Sequence, residues 1–294
     1  MTGSLSPTEA LQYQEDGFLF PIDVMSIEEA QALRESIEAL EARYPDGALP
    51  QPLNQYFRVN GQIVLPLLAR TAHQPAILDA VESILGPDLL AWSVELFIKE
   101  PHTNKIVSWH QDLTYWGMGE TDEELTAWIA LSDVSVASGC MRFVRGSHKQ
   151  AIQPHKDTFD GDNLLSRGQE IAVHVDEATA TPITLMPGQM SLHHGRMFHA
   201  SGPNTSDDRR IGLAIRYVTP GVRQQVGVRD YAMPARGTDN SGNWIHVPPP
   251  KEAFEPGAMA LYDQVLADQS AALTQGAEAD VGLYAAEAKS ELRP

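Results

Sequence analysis

Arg210-Ile211-Gly212-Leu213-Ala214-Ile215-Arg216-Tyr217-Val218 decides how the rest of the chain is read. Apolar Ile211, Leu213, Ile215 and Tyr217 alternate with Arg210, Gly212, Ala214 and Arg216, the two-residue period of a β-strand. One face is fit to pack on helices. The other is small in its middle with a cation at each end, as a ligand cavity needs. Upstream, strand-like runs recur at Leu89–Lys99, Ile106–Trp109, Leu125–Leu131, Met141–Val144, Ile171–Val175, Pro182–Leu185 and Met190–His194. Gly, Pro, Asp and Ser cluster between them. Many short strands punctuated by turns predict a jelly roll or barrel rather than a doubly wound sheet.

Further from that strand the pattern is helical. Ser6-Pro7-Thr8-Glu9 and Ser26-Ile27-Glu28-Glu29 are capping boxes, the first with proline at the opening helical position. Ile27, Ala30, Leu33, Ile37 and Leu40 share one helical face. A third helix is expected from Pro75 to Leu85, stopped by Gly86-Pro87, and a last one from Gly257 to Leu273. Gln150–Glu170 and Pro220–Lys251 are polar and read as lids or solvated loops. The prediction is a mainly β chain with flanking helices in one domain: 1–87 as mostly helical support, 88–218 as the β core, 219–294 as a loop and C-terminal helix.

Composition narrows the function. The 294 residues are 43% hydrophobic, enough for a sizeable core, and no run approaches a membrane span. Cys140 is the one cysteine, so a disulfide framework and a thiolate-rich metal site are excluded. A net charge of −18 with no basic stripe argues against a nucleic-acid partner. Met1 to Pro21 lacks the basic leader and apolar core of a signal peptide, and the cytoplasm is the expected compartment. A small-molecule substrate is expected, with no membrane partner; the oligomeric state stays open.

A histidine and an aspartate two residues apart on a strand point the same way. With a second histidine from a neighbouring strand they form a two-His-one-carboxylate triad, which leaves iron three open positions for a bidentate co-substrate and dioxygen. The chain offers this spacing three times, at His110-Gln111-Asp112, His155-Lys156-Asp157 and His174-Val175-Asp176. His199 is the candidate closing ligand. It lies 89 residues beyond His110, room for about five strands, but only 25 beyond His174. His155 falls in a polar loop, whereas His110 follows the β-prone Ile106-Val107-Ser108-Trp109. His110, Asp112 and His199 are therefore the expected metal ligands and catalytic centre.

Trp109-His110-Gln111-Asp112-Leu113, Thr126-Ala127-Trp128-Ile129-Ala130-Leu131, Gly139-Cys140-Met141-Arg142-Phe143-Val144-Arg145-Gly146-Ser147-His148 and the stretch from His199 to Arg210 resemble the phytanoyl-CoA dioxygenase family, over most of Asp88 to Val218 and loosely over the helical N-terminus. Arg145 departs from the proline usual before Gly-Ser-His. The resemblance implies a double-stranded β-helix, iron(II) on the same three ligands, and 2-oxoglutarate and O2 as co-substrates. It implies that Arg210, eleven residues after the last ligand, grips the distal carboxylate through two parallel hydrogen bonds. Arg209 would face the opposite way. Ser201 would add a hydroxyl donor to that carboxylate, Trp128 would flank the co-substrate, and Arg58 matches a second cationic position.

The implied reaction is hydroxylation of an unactivated C–H bond of a small metabolite or natural-product intermediate, releasing succinate and CO2. Desaturation, cyclisation, epimerisation or acyl-CoA hydroxylation would use the same residues. Related halogenases lack the carboxylate that Asp112 supplies, which disfavours halogenation. Outside this class stand a cupin-like enzyme needing no oxoacid and a non-catalytic cupin-like metal-binding protein; Arg210 and Trp128 speak against the first. Trp116, Tyr115 and Arg142 are candidate substrate contacts. Trp116 reads equally as core, Trp109 mostly as core, and Arg142 as a surface or supporting residue. Of His193 and His194, one is expected buried and the other outward. His148 reads as a turn residue, Lys99 as a strand-end lysine reaching water, Asn204 as a turn residue satisfying backbone groups, and Cys140 as small core.

Overall fold

The computed structural model describes residues 3–114, 116–156, 162–164, 170–227 and 229–273. Both capping boxes form. Ser6 and Ser26 each accept from the backbone N–H three residues on, and Glu9 and Glu29 accept in turn from the cap's own N–H. These reciprocal bonds start α1 (Pro7–Asp16) and α2 (Ile27–Arg43) where the sequence placed them. Between them lies β1 (Phe18–Asp23), and after them α3 (Leu53–Arg58), α4 (Pro66–Thr71) and α5 (Pro75–Leu85). The strands follow: β2 (Leu89–Lys99), β3 (Val107–His110), β4 (Glu124–Ala130), β5 (Met141–Val144), β6 (His155–Lys156), β7 (Glu170–Ile171), β8 (Ala180–Ile183), β9 (Gln189–His194), β10 (His199–Ser201), β11 (Arg210–Val218), β12 (Asp230–Arg236) and β13 (Trp244–His246). Helix α6 (Pro256–Leu273) comes last.

Seven strands form the major sheet in the order β1-β9-β4-β11-β2-β12-β13, and four form the minor sheet, β3-β10-β5-β8. The two sheets make the jelly-roll core expected from the turn-punctuated strands. At the centre of the major sheet β11 pairs antiparallel with β2 on one side and β4 on the other. The alternation in β11 then does what a period of two requires. Ile211, Leu213, Ile215 and Tyr217 join Val94, Leu96, Leu125, Ala127, Ile129 and Leu192 in one apolar cluster with the buried faces of the helices. The Tyr217 hydroxyl donates to Ala72 O at 2.8 Å, fixing the sheet to the α4–α5 connection. Arg210, Gly212, Ala214 and Arg216 face the other way, toward the minor sheet.

Several segments depart from the sequence reading. The N-terminal quarter is not wholly helical: Gly17, at φ +81°, turns the chain out of α1 into β1, which pairs with β9 at the sheet edge. Phe18 and Leu19 gain burial by that pairing, a tertiary preference that local pattern does not carry. Pro220–Lys251 is not simply a loop. It supplies β12, which pairs with β2, and β13, parallel to β12. Buried Ala232, Met233 and Trp244 explain why the segment stays on the body. Ile171–Val175 shrinks to the two residues of β7, paired with β6. The remainder of Gln150–Glu170 and the tail beyond 273 fall largely outside the described residues. No helix among the described residues is long and apolar enough to cross a membrane.

Candidate metal centre and co-substrate pocket

His110 ends β3 and His199 opens β10, and the two are direct partners across the minor sheet. Their rings stand 4.0 Å apart between centroids. Asp112 does not lie on the strand, as the His-x-Asp reading expected, but opens a 3₁₀ turn, Asp112–Thr114. The strand stops because the Gln111 N–H is taken by His155 Nε2 at 3.1 Å and the Leu113 N–H by Gly195 O at 3.0 Å. The turn still brings Asp112 Oδ1 to 3.2 Å from His110 Nε2 and 3.9 Å from His199 Nε2. One ligand atom from each of the three residues lies within 4.8 Å of the others, and all three residues are buried.

The hydrogen bonds behind the ligands set their chemistry. His110 Nδ1 is 2.8 Å from Ser108 O and His199 Nδ1 is 2.9 Å from Met197 O. Each carbonyl selects the tautomer with hydrogen on Nδ1 and leaves the Nε2 lone pair facing the centre. Burial, then the neighbouring His110, pushes His199 well below the usual histidine range, so its imidazole is neutral. Burial alone would raise the Asp112 carboxyl, but the neighbouring His110 and His193, then the Arg216 cation, hold it well below its ordinary value. Two nitrogen lone pairs and a carboxylate converging in a buried site repel one another until a cation joins them. Nitrogen and oxygen donors without thiolate suit a divalent first-row metal, and three protein ligands leave positions open.

The cavity running from this centre is lined by His110, Asp112, Trp128, Ser201, Arg210 and Arg216, among others. Arg210 is 1% exposed, and its Nη1 donates to Gly139 O at 2.7 Å. Its guanidinium lies 5.4 Å from the Trp128 ring centroid, and its Nε has no hydrogen-bond partner among the described residues. Burial lowers Arg210 to about 10, still a cation at neutral pH. Gly212 makes this packing possible, since a Cβ there would fall 1.7 Å from Trp128 Cζ2. Arg209 turns outward to Glu41 and Glu100. At the other end Arg216 pairs with Glu95 at 2.7 Å and stacks 4.8 Å from the Trp116 ring centroid.

A model of the phytanoyl-CoA dioxygenase family matches residues 13–212, a span that includes all three converging ligands and Arg210. The chain belongs to that family. Phytanoyl-CoA dioxygenase family members are iron(II)- and 2-oxoglutarate-dependent oxygenases. The chain is 27% identical over 234 residues, 75% of its length and 81% of the other's, to a probable alpha-ketoglutarate-dependent hypophosphite dioxygenase of Stutzerimonas stutzeri. It is 27% identical over 157 residues to the human peroxisomal phytanoyl-CoA dioxygenase, a match covering 52% of this chain and 46% of that one. The chain thus spans about half the length of that enzyme. The solved non-heme monooxygenase ThoJ is 36% identical, with a TM-score of 0.78 over 90% of this chain and 97% of its own. CytC3, solved with Fe(II) and alpha-ketoglutarate, shares the fold at 22% identity, a TM-score of 0.65 and coverage of 87% and 97%.

The structure sorts the remaining sequence candidates of this phytanoyl-CoA dioxygenase family member. Arg58 is buried behind Phe97, its guanidinium 4.7 Å from that ring centroid and its Nη2 donating to Leu164 O. Arg142 does not reach the cavity; it alternates with inward-facing Met141 and Phe143 and pairs with Glu177 at 2.6 Å. Trp116 packs on Trp92 with ring centroids 4.9 Å apart, backing Arg216. Tyr115 lies outside the described residues. His193 and His194 are both buried, against the expectation that one faces water: His193 stands 3.8 Å from Asp112 Oδ2, and His194 binds Asp122 at 3.1 Å. Lys99 does not reach water either, being 1% exposed. His148 contacts Gln14 O, Asn204 bonds the backbone of Lys99, Glu100 and Asp208, and Cys140 is buried. Sequence reasoning gave His193 and Glu95 no part in the site. Two-residue alternation from Trp128 and Arg210, once the strand pairing is known, finds both.

Proposed function

We propose that His110, Asp112 and His199 hold one iron(II), that 2-oxoglutarate lies between this centre and Arg210, and that the protein hydroxylates a C–H bond of a small metabolite or natural-product intermediate, releasing succinate and CO2. One observation carries the reading. A buried set of metal-ligating atoms and a buried arginine whose Nε has no partner among the described residues share one cavity. Iron(II), when bound, supplies the activation of dioxygen that no side chain can. The chain's own residues do the rest. The Ser108 and Met197 carbonyls orient the imidazoles. Arg210 and Ser201 offer donors to the distal carboxylate, and Trp128 closes one flank. The buried walls keep bulk water from the reacting centre.

Substrate meets the end lined by Arg216, Thr126 and His193, away from Arg210. ThoJ, a non-heme monooxygenase by its description, supports oxygen insertion as the outcome. SnoK, a carbocyclase, and SnoN, an epimerase, share the fold, so the products must be identified as well as counted. Metal-free protein given iron(II) and 2-oxoglutarate without oxygen should develop a visible charge-transfer band. Stripping the metal with a chelator should abolish it and all succinate formation. Admitting air with a panel of small acids, amines and phosphonates should then give substrate-dependent succinate and a product heavier by one oxygen. Absence of the band, or succinate without 2-oxoglutarate, would overturn the reading.

A further inference from the structure

Lys99 ends β2 directly opposite Arg210 on β11. Antiparallel partners project from the same face with Cβ atoms about 5 Å apart, so two basic side chains are buried side by side. The groups acting on them are few. Cys140, before β5, lies near both, Arg210 acts on Lys99, and Arg58, on α3, acts on Arg210. Ser201 and Gly202 take the Lys99 hydrogen bonds. No carboxylate acts on either base among the described residues. Holding both as unpaired charges in a buried site is unfavourable, and burial, then Arg210, drops Lys99 to about 6. Without an anion Lys99 is mostly neutral at physiological pH.

The hydrogen bonds of Lys99 point to its use. Its Nζ donates to Ser201 Oγ at 2.7 Å and also to the Gly202 carbonyl. Ser201 lines the cavity beside Arg210, and Lys99 stands behind it. A hydroxyl that accepts from Nζ keeps its own hydrogen for a second partner, and the side open to it is the cavity.

We propose that Lys99 is a positioning residue for the distal carboxylate of the co-substrate: it holds the Ser201 hydroxyl as a donor toward that carboxylate and supplies a second positive charge for the anion to neutralise. The proposal rests on the reading that 2-oxoglutarate occupies the Arg210 end. It follows that binding the dicarboxylate draws a proton from solvent onto Lys99.

The test is isothermal titration of full-length protein, loaded with zinc(II) to prevent turnover, with 2-oxoglutarate and with 2-oxopentanoate, the keto acid that carries a methyl in place of the distal carboxylate. Lys99→Met should weaken 2-oxoglutarate about tenfold, the size of one charge-assisted hydrogen bond, and leave 2-oxopentanoate unchanged. Ser201→Ala should weaken it similarly, and the double variant should fall short of the product of the two effects. Wild type should take up protons on binding 2-oxoglutarate near neutral pH, seen as a heat that varies with buffer, and Lys99→Met should not. Equal loss for both keto acids would mark Lys99 as merely structural and overturn the proposal. Unchanged 2-oxoglutarate affinity in Lys99→Met, with wild type still preferring the dicarboxylate, overturns this proposal alone. Wild type binding both acids alike overturns the Arg210 reading and this proposal together.

Discussion

Arg209 and Arg210 are sequence neighbours with opposite fates. Arg209 is bound by Glu41 and Glu100 on the outer face, while Arg210 is sealed inside against Trp128. Arg210→Met should raise the KM for 2-oxoglutarate roughly 100-fold, since two charge-assisted hydrogen bonds are worth about 3 kcal/mol together. Arg209→Met should leave that KM within about twofold, because partly exposed ion pairs add little. Steady-state kinetics of the two variants separates these outcomes. The residues that the sequence named for the centre all share a recognisable spacing. Those it misjudged, Lys99 and His194 among them, are polar side chains whose burial depends on a strand from elsewhere in the chain. Lys99 reads as a strand-end lysine until β11 and β10 close over it.

The element that most constrains the site is β11. Its inner face must be small where Trp128 crosses it, and Gly212 meets that need at the cost of backbone entropy in a strand. Gly212→Ala should push the indole aside and destabilise the fold by about 1–3 kcal/mol, the usual penalty for overpacking. Thermal unfolding measures the loss, and weaker 2-oxoglutarate binding should accompany it. Regular elements were the legible part of the fold. The capping boxes placed α1 and α2, Gly86-Pro87 ended α5, and alternation marked β11. β1, β12 and β13 were not legible, because they hold their place by pairing with β9, β2 and one another rather than by local pattern. The turn that carries Asp112 was hidden for the same reason: the hydrogen bonds that end β3 come from His155 and Gly195, distant in sequence.

Across the whole molecule, buried histidines tie stability to pH. Burial, then the nearby Arg196 cation, brings His194 down to about 4 against an ordinary 6.5, with Asp122 pulling the other way. The unfolded chain therefore binds the proton first as pH falls. Stability from this group is complete above about 6.5, declines toward 4, and is flat below that, a loss on the order of 3 kcal/mol. Urea denaturation across this range should show the decline, and His194→Gln should flatten part of it. A variant that keeps the full slope would assign the acid sensitivity to other groups.

The six steps from Arg210 to Arg216 along β11 have a further consequence. A strand advances about 3.3 Å per residue, so the two guanidinium-bearing positions sit roughly 20 Å apart on a rail clamped by β2 and β4 on either side. Such a rail cannot stretch to suit a guest. On the proposed reading, accommodation of a new substrate falls to the walls around Arg216, while the Arg210 end stays as it is. A change of substrate would then leave the co-substrate end of the strand untouched.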